Sequence, residues 1–138
     1  NYRENIIDMT FMLQKEVVER IVAPPGNKTY GRLSVVIQAF FDTELMFIVP
    51  KESFNPQPKI ESAILYLKTK SRPLVQDLKP LEEIVKLAFS QRRKTLKNCL
   101  KSVLDQSQTD IDLSQRAEML SLDNFVTLMN DYEKQYRN

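Results

Sequence analysis

Apolar and polar positions alternate at changing periods along this chain, and those changes divide it into elements. Residues 6–13, IIDMTFML, are almost continuously apolar and short, which predicts a strand covered on both faces as in a parallel sheet. Residues 15–23, KEVVERIVA, place Val17, Val18, Ile21 and Val22 at helical spacing. PPGNK ends that helix, because proline lacks the N–H donor and clashes with the preceding turn. Residues 33–41, LSVVIQAFF, suit either element by periodicity. They are read as a helix because residues 43–49 make the better following strand and Pro50 closes it. Residues 59–69 form a third strand, with Ile60, Ser62, Ile64 and Tyr66 on one side and Glu61, Ala63, Leu65 and Leu67 nearly on the other. With no crossover helix between them, the second and third strands are expected to pair antiparallel.

The pattern changes near Ser71. SRPLVQDLK reads as a linker over residues 71–79, and the remainder of the chain reads as helix. Pro80 is placed at a first helical position ahead of Glu82 and Glu83, over a stripe of Leu81, Ile84, Val85, Ala88 and Phe89. Ser114 is expected to cap a short helix reaching Leu120, and Ser121 a longer one with Leu122, Phe125, Val126, Met129 and Tyr132 inward. The fold class expected is therefore α/β, the last part of an α/β sheet over residues 1–70 joined to a small all-helical unit over residues 80–138. Three strands with so little helical cover leave sheet surface in need of a partner.

Composition narrows the chemistry. The 138 residues are 42% hydrophobic and 28% charged, the size of one compact domain. There is one cysteine and no histidine, so neither an internal disulfide nor a Cys/His zinc set is available. Cys99 reads as a small core residue. No apolar run is long enough for a membrane span. The chain opens on Asn1 without a signal-peptide pattern, as expected of a processed product or a piece of something longer.

The net charge of +2 says little, but its distribution says more. Lys86, Arg92, Arg93, Lys94, Lys97 and Lys101 lie between Ile84 and Leu104 with no acidic residue among them. On a helix over residues 93–104, Arg93, Lys97 and Lys101 stand one turn apart on one face, bordered by Lys94. Like charges at that spacing repel by roughly 0.2–0.5 kcal/mol per pair, a cost that a phosphate backbone would offset. A solvated face and an acidic protein or membrane surface are the other readings. Gln14, Lys15 and Glu16 end the first strand where α/β sites gather, unless Glu16 only favours the start of the next helix. Tyr30, Gly31 and Arg32 either shape a turn near a ligand or start a helix. Lys59 either contacts phosphate or solubilises an edge strand. Phe54 precedes two prolines in FNPQPK and is either a junction side chain or a ring held out for contact.

Four blocks in order, FMLQKEVVERIVA, YGRLSVVIQAFF, FNPQPKIESAILYL and AFSQRRKTLKNCL, resemble the ribosomal RNA adenine N6-dimethyltransferases. The last block is most similar to the branch acting on small-subunit (16S) rRNA. The resemblance implies the C-terminal portion of a class I, Rossmann-like methyltransferase sheet with an RNA-docking helical domain. It also implies transfer of methyl groups from S-adenosylmethionine to two adjacent adenosines near the 3′ end of that rRNA. The implied setting is a pre-30S particle in the cytoplasm, with a monomeric enzyme. Phe54 matches the phenylalanine that contacts the flipped adenine; Tyr30, Arg32, Lys59, Arg92, Arg93, Lys94, Lys97 and Lys101 are the RNA candidates. The family's glycine-rich turn and Asn-Leu-Pro-Tyr motif do not occur here, and only Gly26 and Gly31 are present. The cofactor would then be bound mainly by a half not in this chain, which by itself is expected to be inactive. A non-catalytic RNA- or ribosome-binding module derived from the same fold is the alternative.

Overall fold

The computed structural model describes residues 7–136. β1 (Asp8–Gln14) runs directly into α1 (Lys15–Val22), and α2 (Arg32–Gln38), β2 (Phe41–Val49) and β3 (Ser62–Thr69) come next. The helical part comprises α3 (Leu78–Ala88), α4 (Leu96–Leu100) and α5 (Leu122–Tyr136), with single 3-10 turns between α4 and α5.

The strands form one sheet in the order β1-β3-β2, with β3 antiparallel to both neighbours. β2 and β3 pair as the pattern predicts, and a bulge at Met46 shifts their register between Leu45 and Phe47. β1 corrects the expectation of a strand covered on both faces in a parallel sheet. Among the described residues it pairs antiparallel with β3 alone, and most of its residues are exposed. Apolar content alone does not separate a central strand from an edge strand that lacks its cover.

Directly paired residues share a face. Leu65, with Phe11 and Leu45 opposite it, and Leu67 and Ala63 face α1, where Val18 and Ile21 complete a small apolar cluster. The other face carries Met12, Ile64 and Phe47 in one row, with no described helix over it; Met12 is 53% and Phe47 57% exposed.

A larger cluster fills the helical part and draws Ala23, Tyr30, Val35 and Ala39 into it beside Leu81, Ile84, Leu100, Phe125 and Leu128. The α1–α2 segment is thus shared between the sheet and the helices. Side chains of α2 close the end of α1: the Ser34 hydroxyl donates to the Arg20 carbonyl, and Gln38 Nε2 donates to those of Ile21 (2.7 Å) and Ala23 (2.9 Å). These are carbonyls a helix end leaves without intrahelical donors.

Several helical boundaries differ from expectation: α2 ends at Gln38, short of the 33–41 expected, and Phe41 already opens β2. α3 starts at Leu78, with the Asp77 carboxylate accepting from the Lys79 N–H at 3.2 Å, so Pro80 is its third residue. The missing donor costs nothing there, since the first four N–H groups have no intrahelical acceptor. The expected helix over 93–104 is confined to Leu96–Leu100, because the N–H groups of Leu96 and Lys97 donate to the carbonyls of Gln115 and Leu113 at 2.8 Å. The expected Ser114-capped helix reduces to a 3-10 turn at Ala117–Met119, since Ser114 bonds back to Asp112. Ser121 does cap α5, accepting from the Asn124 N–H at 3.1 Å.

The Asp112 carboxyl is held below its ordinary value of 3.8 by the Ser114 hydroxyl and N–H. A depressed folded-state value adds stability above pH 3.8 that is lost as pH falls through that lower value. Asp112→Asn removes this component. The stability difference between the parent protein and the variant in urea unfolding should therefore be constant at neutral pH and shrink on acidification below 3.8.

Candidate nucleic-acid interface

The segment between β2 and β3 leaves the sheet where β1 also ends, since Gln14 and Val49 both pair with Ser62. Lys51–Ser53 make a single 3-10 turn, after which the Phe54 N–H donates to the Lys51 carbonyl at 3.3 Å. Phe54 is half-buried and belongs to neither apolar cluster. Its loop returns over the end of β1, where the Lys15 N–H donates to the Glu61 carbonyl at 3.0 Å. The Lys15 ammonium lies 3.6 Å from the Glu61 carboxylate. A small hollow of about 190 Å³ here is lined by Gln14, Lys15, Glu16 and Ile60 among others; Phe54 is not in its lining. Lys59 is exposed on the same loop.

Farther along α1 lies a larger groove, about 540 Å³ in volume, bounded by α1, α2 and α3. It joins Arg32 and Arg92, sixty residues apart in sequence, and adds Arg20. Arg92 holds the groove together: its guanidinium donates to the carbonyls of Lys28 and of Tyr30, the latter at 2.6 Å, and lies 5.8 Å from the centre of the Phe89 ring. All these partners are neutral, and Arg92 makes no ion pair among the described residues. Tyr30 is fully buried, edge-on to Phe89, and its hydroxyl donates to the Leu120 carbonyl at 2.8 Å. Burial raises its phenol pKa well above the ordinary value. Its side chain therefore supports the turn at 28–31 from within.

The other basic candidates lie beyond the groove. Arg93 and Lys94 are exposed on the turn that precedes α4, closed by the Lys94 N–H donating to the Gln91 carbonyl at 2.9 Å. Lys97 and Lys101 are exposed one helical turn apart. The straight row of Arg93, Lys97 and Lys101 expected on one helix is therefore replaced by Lys97 on α4, Lys101 just past its end and a cationic turn ahead of it. Cys99 faces inward, its thiol donating to the Gln91 carbonyl at 3.5 Å. The sequence reading missed Arg20, Glu82 and Phe89 in the groove, because each sits on an ordinary amphipathic helix or at its end and only tertiary packing groups them.

The mixed α/β architecture, a small antiparallel sheet with flanking helices, is that of class I methyltransferase-like folds. It is similar to the crystal structure of a dimethyladenosine transferase from Plasmodium falciparum (TM-score 0.79, 21% identity, 93% of this chain and 57% of that one). It is also similar to the crystal structure of the 23S rRNA methyltransferase ErmE (TM-score 0.66, 19% identity, 91% of this chain and 55% of that one). The family model for ribosomal RNA adenine dimethylase matches residues 1–134, and the chain belongs to that family. Ribosomal RNA small subunit methyltransferase A of Francisella tularensis subsp. novicida (strain U112) is 52% identical over 133 residues, 92% of this chain and 51% of that protein. Its counterpart in subsp. tularensis (strain SCHU S4 / Schu 4) is 51% identical over the same shares. The chain spans about half the length of these relatives.

Because Phe54 packs into neither core, Phe54→Ala should lower the unfolding free energy by less than about 1 kcal/mol. Tyr30→Phe leaves the Leu120 carbonyl without its donor in a buried setting and should cost about 1–3 kcal/mol. Urea titration of both variants checks the contrast.

Proposed function

We propose that the chain is the C-terminal part of an rRNA adenine N6-dimethyltransferase. Its substrate is two adjacent adenosines near the 3′ end of small-subunit rRNA in a pre-30S particle, its methyl donor S-adenosylmethionine, and its setting the cytoplasm, where it acts as a monomer. Residues 1–70 are the end of the catalytic domain, 71–79 a linker and 80–138 the RNA-docking helical domain. The observation that carries this reading is the position of Phe54. FNPQPK brings it to the end of the sheet where β1 stops, in a chain whose family match covers residues 1–134. The names of the relatives support the substrate class.

Residues of this chain do not fit as the main holder of the cofactor. β1 passes into α1 at Gln14–Lys15 with no glycine between, and neither Gly26 nor Gly31 comes directly after a strand. The cofactor half is then supplied by residues outside the chain. It would seat against the edge of β1 that is unpaired among the described residues and against the row of Met12, Ile64 and Phe47.

The work left to this chain is binding and positioning. An adenine inside folded RNA must leave its stack to react, and an aromatic platform replaces part of the lost stacking, roughly 1–3 kcal/mol per base. Pro56 and Pro58 restrict the backbone beside Phe54 and limit the ordering cost. The exocyclic nitrogen is a poor nucleophile, its lone pair delocalised into the ring, so orientation matters more than activation. S-Adenosylmethionine, when bound, supplies the activated methyl group. Arg92, Arg93, Lys94, Lys97 and Lys101, with Arg32 and Lys59, set the RNA's register through phosphate contacts. Tyr30 serves that surface by fixing the turn beneath it.

In the intact protein acting on immature small subunits, Phe54→Ala should reduce methyl transfer about five- to 150-fold, the kinetic equivalent of ~1–3 kcal/mol. Unchanged transfer would remove the adenine role. Joint reversal of Arg93, Lys94 and Lys97 to glutamate should weaken RNA binding and make its salt dependence shallower by about two to three counterions. The second reading, a non-catalytic RNA-binding module, draws on the absence of a cofactor cradle among the described residues. It predicts the same loss of RNA binding from an intact protein that transfers no methyl group.

A further inference from the structure

The groove between α1, α2 and α3 has the make-up of a nucleotide site in its own right, set apart from Phe54. The Phe54 loop meets the start of α1, whereas the groove lies along its later turns and reaches α3. At about 540 Å³ it falls within the range of small-ligand sites, roughly 300–1,000 Å³. Two of its guanidinium groups keep their charge. Arg92 is bonded only to neutral carbonyls, and Arg32, exposed, makes no ion pair among the described residues. Arg20 is already paired with Glu16 at 3.0 Å.

The same lining includes the apolar side chains of Leu33, Val36 and Phe89, with Leu33 40% exposed. The single carboxylate in the lining is Glu82. A phosphate matches by charge the two guanidinium groups that make no ion pair among the described residues, and can accept from the donors that Arg92 does not use on Lys28 and Tyr30. A flat heterocycle covers the apolar wall, and a carboxylate, acceptor only, takes a base amine or a ribose hydroxyl. An acidic peptide would meet the same cations but brings no flat heterocycle to Leu33, Val36 and Phe89. The walls are set in advance, since Ser34 and Gln38 tie α2 to α1 and Arg92 ties α3's end to the 28–31 turn. Little ordering is then left to be done on binding.

We propose that this groove holds one unpaired nucleotide of the RNA substrate, its phosphate on Arg32 and Arg92 and its base against Leu33, Val36 and Phe89. The inference rests on the RNA-methyltransferase reading and deepens it. It assigns the enzyme a second nucleotide contact, one that reads an extrahelical residue away from the reacting adenine and so favours RNA with an unpaired position at a set distance.

The test is a titration of the isotopically labelled intact protein monitored by amide spectra. Adenosine 5′-monophosphate, ribose 5-phosphate, inorganic phosphate and hexaglutamate serve as separate probes. Adenosine monophosphate should shift the Thr29, Gly31 and Ser34 amides saturably, with ribose phosphate at least about fivefold weaker because it lacks the base. Arg32→Glu should weaken that binding about tenfold or more, while Arg32→Lys keeps part of it. Arg32 is exposed, so the variant's spectrum reports folding independently of binding. Equal affinity for adenosine monophosphate and inorganic phosphate would reduce the groove to a simple anion site and overturn the proposal. Hexaglutamate shifting the same amides at lower concentration would overturn it too, by assigning the groove to an acidic protein. Absence of any shift there also overturns it. If the Phe54-loop amides still respond and small-subunit RNA still binds, only the groove inference falls; if the RNA does not bind at all, the reading beneath it falls too.

Discussion

The buried hydroxyl of Tyr30 and the main-chain carbonyl of the same residue join the two parts of this protein. The hydroxyl reaches the Leu120 carbonyl across 90 positions of sequence, while the carbonyl accepts from Arg92. A buried hydroxyl without a partner costs on the order of 1–3 kcal/mol, so the turn at 28–31 has one low-energy position against the helical part. Gly26 adds to it, its N–H donating to the Glu118 carbonyl at 2.7 Å and its φ of 87° lying where other residues are strained. Through that turn, the direction of α2 and the lining of the groove depend on contacts made far from either.

The sheet works under a different constraint. β3 has neighbours on both sides and supplies Ala63, Leu65 and Leu67 to the small cluster, whereas β1 has, among the described residues, one neighbour and one covered face. Backbone donors and acceptors on an unpaired strand edge remain open to another strand, and an apolar row on an uncovered face gains from burial. Both features lie beside the loop that carries Phe54. Among the described residues, the edge of β1 and the row of Met12, Ile64 and Phe47 are therefore the parts of the sheet that have most to gain from further packing.

Much of the site was legible as residues and little of it as an arrangement. FNPQPK draws attention to itself because proline restricts the backbone wherever it occurs, and the run from Lys86 to Lys101 does so because no acidic residue interrupts it. The groove left no such trace. Arg20 is the last-turn cation of an amphipathic helix, Glu82 an exposed residue of α3, and Phe89 the residue that ends it. Tyr30 shows the converse: it looks like a surface candidate beside Gly31 and Arg32, and it is fully buried. Side-chain chemistry is local, but exposure depends on what the rest of the chain brings alongside.

In the sequence by itself, periodicity determined α1, the short connection determined the antiparallel pairing of the second and third strands, and side-chain type determined the cap at Ser121, because each rests on residues close in the chain. Only the tertiary structure decided the rest. It made β1 an exposed edge, and it confined α4 to five residues by engaging its first N–H groups with the 113–115 loop. It turned Ser114 back onto Asp112 and brought Arg32 to Arg92. Most of these outcomes hang on partners far away in the sequence. A local pattern states which faces need covering and which donors need acceptors, but the partner that meets each need is chosen by the packing of the whole chain.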